Sequence, residues 1–249
     1  MQYGICNLSI ISQRAEPSDV AEQVSQLLYG EHFKVLESRK YWSRIRNTFD
    51  NCEGWIANNQ FEIISEEEYQ QIELSDSQIS NDYTDFISDG KNLVPLVIGS
   101  CVNAAKLLNH SFDGSFARGQ KSREELIKNA LFYLNTPFLW GGKTPFGIDN
   151  GGFTQMVYKL SGYKLLRDAA QQATQGEPLS FIEESNQGDL AFFDDNEGKI
   201  VHVGIIMNNN YIIHSFGKVR IDRIDHTGIF NAEIGRYSHK LRVIKKIID

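Results

Sequence analysis

The apolar positions divide the chain into a first part that predicts strands and a second part in which helices precede strands. Over residues 3–62, short apolar runs alternate with turn residues, a pattern typical of a small antiparallel β-barrel. Four strands are predicted there, with the sequences YGICNLSII, EHFKVLES, YWSRIRN and EGWIANNQF. We therefore expect the chain to begin with an all-β barrel.

The stretch that follows the barrel is acidic at first and poor in apolar side chains. Residues 65–85 predict a short surface helix that runs into a linker. The later runs NLVPLVIGSCV and AKLLNHSFDG predict two or three further strands. Because this piece is short, we expect a small β module that packs on its neighbours.

From Ser122 onward the apolar positions follow a helical period. Ser122 and Glu125 have capping-box spacing, and the apolar residues after them recur on one helical face. A second helix is predicted from the N-cap residue Asp149 to Gly162. A short third helix fits RDAAQQATQG, and the predicted strands DLAFF, IVHVGIIM, YIIHS and LRVIKKI follow. Helices followed by antiparallel strands indicate an α+β domain.

Two histidines occupy the hairpin that IVHVGIIMNNNYIIHSFG predicts. The three asparagines are typical of a hairpin loop, and the resulting register pairs Gly204 with His214. His202 then lies on the same face as His214, as a diagonal neighbour about 7–8 Å away along the backbone. Gly204 leaves space between the two rings.

Two histidines on one sheet face, near the start of a helix, are an arrangement that cysteine hydrolases use. One imidazole acts as the base and the second orients it, while the positive end of the helix favours a thiolate. The residue at the first helical position, where such a nucleophile would stand, is Asn150. The sequence gives no such context to the other four histidines, His32, His110, His226 and His239.

Composition and charge restrict the classes of function. The chain has 249 residues, of which 41% are hydrophobic and 23% are charged, as in ordinary folded domains. A net charge of −7 argues against a nucleic-acid-binding protein. No stretch approaches the roughly 20 apolar residues of a membrane span, and the N-terminus lacks the pattern of a signal peptide. We therefore expect no membrane span and a cytoplasmic location.

The cysteine pattern predicts neither a disulfide framework nor a zinc site. Cys6, Cys52 and Cys101 are odd in number and widely spaced. Neither Cys52 nor Cys101 precedes a helix within reach of the histidine pair, so no substitute nucleophile is expected.

The chain beyond residue 122 resembles the NlpC/P60 cysteine peptidases of bacterial cell-wall metabolism. The motifs that carry the resemblance, in the family's order and spacing, are TPFLWGG, GIDNGGF, LLRDAAQQ, GDLAFF, VHVGI and IIHSFG. The first part resembles the bacterial SH3 domains that accompany this catalytic domain, and the middle piece resembles a second, degenerate one. The fold class implied is α+β, a papain-like NlpC/P60 domain preceded by small all-β SH3-like barrel modules. The implied boundaries are 1–64, 65–120 (with the linker) and 121–249.

Together the modules are similar to the YkfC-type γ-D-glutamyl-L-diamino acid endopeptidases. This resemblance implies cleavage of murein peptides that have a free N-terminal amine, during recycling of the cell wall. It implies no cofactor and no metal ion, and it leaves the oligomeric state open.

The resemblance also assigns roles to residues. It makes His202 the base, His214 its orienter and Asp149 the carboxylate that binds the substrate's amine. Arg167, followed by an aspartate, matches the RD that the family has after the helix. Trp140 is implied, together with Phe138, to line the binding cleft.

The chain departs from the family motifs at three positions. Where the family motif reads Asp-Cys-Ser-Gly-Phe, residues 149–153 read DNGGF, so Asn150 replaces the nucleophilic cysteine. Gly151 replaces the serine that helps to hold the amine. Phe138 replaces a tyrosine whose hydroxyl points at the reacting carbonyl.

Three hypotheses for function follow from these departures. The chain is a pseudo-peptidase that binds murein peptides without cutting them, or its parent form is an active hydrolase and the substitution is engineered or unusual. In the third hypothesis the SH3-like modules mediate interactions and the last domain is a scaffold. A metal site at His202, His214 and Asp149 is a weaker alternative, because two histidines and a distant carboxylate are a poor signal.

Overall fold

The computed structural model describes residues 1–248, which fold into two compact units. The first unit contains residues 1–120 and also the short segment Trp140–Pro145. The second unit contains residues 121–139 and continues from Phe146. The boundaries of the three modules expected from the sequence stay predictions, and residue 249 of the last module lies outside the described residues.

The first unit is built mainly from a seven-stranded antiparallel sheet with the order β3-β2-β6-β5-β4-β1-β7. Its strands are β1 (Gln2–Ile5), β2 (Ile10–Arg14), β3 (Gln23–Leu28), β4 (His32–Ser38), β5 (Trp42–Asn47), β6 (Glu53–Ala57) and β7 (Glu62–Ile64). Apolar side chains of the sheet form a closed core, which contains Cys6, Ile11, Leu27, Phe33, Val35, Ile45 and Ile56. The barrel-like architecture expected for the start of the chain is confirmed.

Two details of this sheet differ from the sequence prediction. The first predicted strand, YGICNLSII, forms two strands, because the backbone at Cys6 bonds to Gly30 and Glu31 and the chain then bends. Strand β3 was not predicted, because its residues from Ser25 to Leu28 are buried on both faces and two of them, Ser25 and Gln26, are polar. Buried polar residues hide the period of two that identifies a strand.

The rest of the first unit consists of short elements. These are α1 (Glu66–Leu74), β8 (Ile79–Ser80), β9 (Thr84–Ser88), β10 (Leu93–Val97), β11 (Phe116–Ala117) and β12 (Lys143–Thr144). Ser65 and Glu68 form the capping box that starts α1. The prediction of a strand in AKLLNHSFDG is wrong: helical turns follow Val102, and they bury apolar side chains that a strand pattern would also bury.

The second unit combines helices with a seven-stranded antiparallel sheet. Its helices are α2 (Arg123–Leu131), α3 (Asn150–Leu160) and α4 (Ala169–Gln172). Its strands are β13 (Gly147–Ile148), β14 (Glu177–Leu179), β15 (Leu190–Asp194), β16 (Ile200–Met207), β17 (Tyr211–Phe216), β18 (Lys218–Ile224), β19 (Gly228–Asn231) and β20 (Arg236–Lys246). The sheet has the order β14-β20-β15-β16-β17-β18-β19, and β19 also pairs with β20.

Helix α3 is the central helix of the second unit. All of its residues from Gly151 to Leu160 are buried, including the polar residues Thr154, Gln155 and Lys159, so the surrounding unit covers the helix on every side. Helix α2 follows the N-cap residue Ser122 with the predicted capping box, and it ends at Leu131. No helix among residues 1–248 is long and apolar enough to span a membrane.

Candidate active site

A histidine pair lies on the neighbouring strands β16 and β17. The register pairs Gly204 with His214, as the sequence predicts, and Nε2 of His202 is 2.8 Å from Nδ1 of His214. A Cβ at position 204 would lie 2.9 Å from the Cβ of His214 and 2.8 Å from Cδ1 of Ile212. Glycine at this position therefore makes the room in which the two rings meet.

Strand β18 adds a carboxylate to the pair. Nε2 of His214 lies 3.1 Å from Oδ2 of Asp222. The Arg220 guanidinium donates to both oxygens of the same carboxylate, at 2.6 and 3.0 Å. His202, His214 and Asp222 thus form a hydrogen-bonded chain, and the sequence analysis did not identify its third member. The available signal was an acidic residue inside an otherwise regular strand pattern.

The protonation states of these three residues follow from burial and from hydrogen bonding. Burial lowers the pKa of His202 well below its usual value, and the neighbouring histidines lower it further. Burial also lowers the pKa of His214, although Asp222 acts in the opposite direction. Burial raises the pKa of Asp222, but hydrogen bonds from His214 and Arg220 outweigh this and the net pKa is lowered. At neutral pH both imidazoles are therefore neutral and Asp222 is charged, which suits His202 as a base.

A third histidine, His239 on β20, lies against the pair. Its ring stacks on that of His202 with centroids 4.0 Å apart and an angle of 21°. Its Nδ1 lies 2.9 Å from Oγ of Ser238. Burial lowers the pKa of His239 to about 4, with a further contribution from His214. The sequence analysis gave His239 no role, because β20 pairs with β19 and β15 through register shifts that spacing does not reveal.

The start of α3 is fixed by Asp149. Its Oδ1 accepts a hydrogen bond from the backbone N–H of Gly152 at 2.6 Å, so the residue is the predicted N-cap. The buried Arg167 guanidinium donates to Oδ1 and Oδ2 of the same carboxylate, at 2.9 and 2.7 Å. Asp149 is therefore both a helix cap and the partner of a buried cation. Its role as the carboxylate that binds an amine stays a prediction.

Asn150 is the first residue of α3 and stands beside the histidine-bearing sheet. Its side-chain nitrogen donates to the carbonyl of Val201 at 3.5 Å, next to His202 in strand β16. The segment before the helix is held to β17, because Oγ of Ser215 donates to the carbonyl of Ile148 at 2.9 Å. The structure thus brings the predicted nucleophile position to the strand that carries His202.

The structure gives a steric reason for the glycine at position 151, which the sequence did not reveal. A Cβ on this residue would lie 2.6 Å from the carbonyl oxygen of Arg167 and 3.3 Å from the nitrogen of Ala169. Nε2 of Gln172 donates to the carbonyl of Gly151 at 2.9 Å, which ties α4 to the same turn. The backbone around residues 167–169 therefore occupies the space that a serine side chain would need.

The two aromatic residues expected to line a cleft belong to different units. Phe138 is in the second unit, 38% exposed, and its N–H donates to the carbonyl of Gly217. Trp140 is in the first unit, where its Nε1 donates to Oε1 of Glu22 at 2.6 Å and its carbonyl accepts from Gln23 at 3.2 Å. A shared role in substrate binding stays a prediction for both.

An α+β unit in which a buried helix begins beside a histidine-bearing antiparallel sheet has a papain-like fold, and the predicted fold class is confirmed. Residues 135–235 match the NlpC/P60 family, and residues 14–61 match the bacterial dipeptidyl-peptidase SH3 domain. The chain therefore carries an NlpC/P60 domain preceded by a bacterial SH3 domain, as the sequence motifs indicated.

Known proteins with similar sequences are peptidases by name. The chain is 39% identical over 94 residues to the γ-D-glutamyl-L-lysine dipeptidyl-peptidase of Bacillus subtilis (strain 168), an alignment that covers 37% of this chain and 31% of that relative. It is 26% identical over 238 residues to dipeptidyl-peptidase 6 of Lysinibacillus sphaericus, covering 81% of this chain and 83% of the relative. The chain thus spans about a third of the first relative and most of the second.

A solved structure supports the fold over the whole length. An NlpC/P60 family protein from Bacillus cereus ATCC 10987 superposes with a TM-score of 0.79 at 16% identity, covering 99% of this chain and 100% of that one. At this identity the likeness concerns the fold alone.

Proposed function

We propose that this chain is a murein-peptide-binding member of the cell-wall peptidases in which hydrolysis is impaired or absent. The observation that carries the proposal is a carboxamide at the nucleophile position beside an intact base. The amide of Asn150 has no acidic proton for His202 to remove, and its nitrogen does not form an acyl intermediate at neutral pH. Loss of a nucleophile typically lowers the rate by several orders of magnitude.

No cysteine in the sequence of the second unit can take over this role. The three cysteines of the chain, Cys6, Cys52 and Cys101, all precede residue 121, and hence all belong to the first unit. The buried chain from His202 through His214 to Asp222 is the arrangement that would activate a thiol. Because Nε2 of His202 is engaged by His214, Nδ1 is the atom that would accept a thiol proton at position 150.

The ligand class comes from the relatives. Two of them are named γ-D-glutamyl-L-lysine dipeptidyl-peptidases. We assign to this chain the same chemical class, a short peptidoglycan-derived peptide with a free N-terminal amine. A preference for one diamino acid and a cytoplasmic place of action also belong to this proposal, because the fold determines neither of them.

Restoring the nucleophile tests the proposal directly. We expect the wild-type chain and Asn150→Ala to release no product from L-Ala-γ-D-Glu-L-Lys above the uncatalysed rate. Asn150→Cys is expected to gain hydrolysis, because the thiol stands at a helix N-terminus beside a neutral imidazole. The gain should disappear in Asn150→Cys/His202→Gln, which keeps the thiol and removes the base.

Two outcomes of this experiment would contradict the proposal. Turnover by the wild-type chain at rates typical of enzymes would mean that another group acts as nucleophile. A folded Asn150→Cys variant that binds the peptide but cleaves nothing would mean that the site geometry is not that of a hydrolase. Calorimetry with the same peptide separates the binder from the scaffold hypothesis, since heat of binding to the wild-type chain is expected only for a binder.

A further inference from the structure

We propose that His202, His214 and His239 form a binding site for a divalent transition-metal ion of the zinc type. One ring nitrogen from each of the three lies within 4.8 Å of the other two, and this group is the metal-binding candidate found among residues 1–248. The group contains His239, which no hypothesis from the sequence included. Asp149, which the sequence alternative included, is instead held by Arg167.

The hydrogen bonds around the cluster determine which ring nitrogens can serve as ligands. Asp222 engages Nε2 of His214, and Ser238 engages Nδ1 of His239. The site therefore uses Nδ1 of His214 and Nε2 of His239. Nε2 of His202 lies 2.8 Å from Nδ1 of His214, so these two nitrogens already converge on one point.

A bound ion requires the three rings to rearrange. His239 stacks on His202 with centroids 4.0 Å apart and an angle of 21°, so its ring must tilt to aim Nε2 at the point where the other two nitrogens converge. Zinc–nitrogen bonds are about 2.0–2.1 Å long, so two imidazoles on a tetrahedral ion have their nitrogens roughly 3.3–3.4 Å apart. The rings of His202 and His214 would have to separate by about half an ångström, and the ion would replace the proton between them. Three imidazoles with a water molecule as fourth ligand are a known zinc environment.

The outer shell of the cluster has the features of a metal site. The carboxylate that bonds to His214 is fixed by Arg220, at 2.6 and 3.0 Å. A carboxylate behind a ligating histidine fixes the tautomer and the ring orientation, and it raises the basicity of the ligand. Phe193 and Phe216 pack edge-on against the ring of His239 and supply an apolar wall. Imidazole ligands select zinc-type ions over Mg²⁺ and Ca²⁺, which prefer oxygen.

Metal binding and base catalysis exclude each other at His202. An ion on Nε2 of His202 breaks the hydrogen bond to His214 that orients the base. In a chain whose nucleophile position is an amide, the cluster is therefore available to a metal ion without loss of a reaction. This consequence rests on the proposed function, whereas the metal site itself does not.

Equilibrium dialysis of the full-length, tag-free chain against Zn²⁺ tests the site. We expect one tightly bound ion per chain, together with a rise in the midpoint of thermal unfolding that EDTA reverses. Replacement by Co²⁺ should give the visible absorption of a four-coordinate site without the thiolate charge-transfer band. His239→Gln should weaken Zn²⁺ binding at least about 100-fold, and Asp222→Asn about 10–100-fold.

The matched control is His226→Gln, which changes an exposed histidine outside the cluster and should bind Zn²⁺ like the wild-type chain. The proposal is overturned if the wild-type chain binds no stoichiometric ion, or if His239→Gln binds as tightly as wild type. A thiolate band in the Co²⁺ spectrum would assign the ion to a cysteine and would equally overturn it. Unfolding in EDTA verifies that each variant is folded, and His239→Ala provides a second test if His239→Gln is not. Peptide binding is measured separately, so failure of the metal site leaves the proposed function standing.

Discussion

At the scale of single residues, the two departures from the family motif at positions 150 and 151 differ in how tightly the residue is packed. Asn150 is partly exposed and contacts β16 through one long hydrogen bond, so packing does not require an asparagine at this position. Gly151 is buried against the backbone of Arg167, so its identity is decided by space. The sequence identified both departures, but the difference in packing between the two residues is visible only in the structure.

Gly151→Ser is expected to destabilise the chain by about 1–3 kcal/mol, because its Cβ would meet a backbone oxygen that cannot rotate away. Urea denaturation of the full chain measures the change. Gly151→Ala should cost a similar amount, since the Cβ and not the hydroxyl makes the contact. An unchanged midpoint for both variants would contradict this explanation. Asn150→Cys alone is accordingly the better variant for restoring activity.

Cys6 is expected to resist alkylation in the folded chain. Its thiol is fully buried, and burial raises its pKa, so it stays protonated at pH 8 and is a poor nucleophile. Iodoacetamide labelling followed by peptide mass spectrometry should find Cys6 modified far more slowly in buffer than in concentrated urea. Equal labelling rates in the two solutions would refute this account of the thiol.

At the scale of elements, the hairpin of β16 and β17 was predictable and its surroundings were not. A three-asparagine loop between regular strands fixes the register, and the register fixes the His202–His214 pair. Asp222 was missed because no strand was predicted over residues 218–224, where β18 lies, and His239 was missed because bulges shift the register of β20. Sequence patterns therefore identify the part of a site that lies within one local motif, and they miss the partners that long-range pairing supplies.

Asp149 joins helix α3 to the segment before α4, and two substitutions separate its two contributions. Asp149→Asn keeps an acceptor for the helix cap but removes the negative charge that pairs with the buried Arg167 guanidinium, which should cost about 2–3 kcal/mol. Asp149→Ala removes the cap as well and should cost about 1 kcal/mol more. Denaturant unfolding of both variants checks the order. A smaller loss for Asp149→Ala than for Asp149→Asn would contradict this division.

At the scale of the whole molecule, the chain passes three times from one compact unit to the other. Residues 140–145 lie in the stretch that matches NlpC/P60, yet they fold as part of the first unit. The buried Lys143 ammonium pairs with Glu31, at 3.1 and 3.2 Å, and the Lys143 N–H donates to Oε1 of Gln26 at 2.8 Å. Sequence motifs could place this segment in a family but not in a unit, because its partners are more than 100 residues earlier.

Glu31→Gln should destabilise the full chain by about 3–5 kcal/mol, because it leaves the Lys143 ammonium buried without a counter-charge. The double variant Glu31→Gln/Lys143→Met removes both charges and is expected to recover much of that loss. Chemical denaturation of the two variants and the wild-type chain measures the recovery. If the double variant is no more stable than Glu31→Gln, the cost does not come from an unpaired charge.

The position of the Trp140–Pro145 segment in the first unit limits how the two parts of the gene can be recombined. A fusion that joined the segment from residue 121 onward to a foreign partner would separate Lys143 from Glu31, the acid that neutralises it. A gene rearrangement between the two halves would thus succeed only if it also replaced these six residues or their distant neighbours. We therefore expect the two halves of the gene to be inherited together, whatever reaction the second one performs.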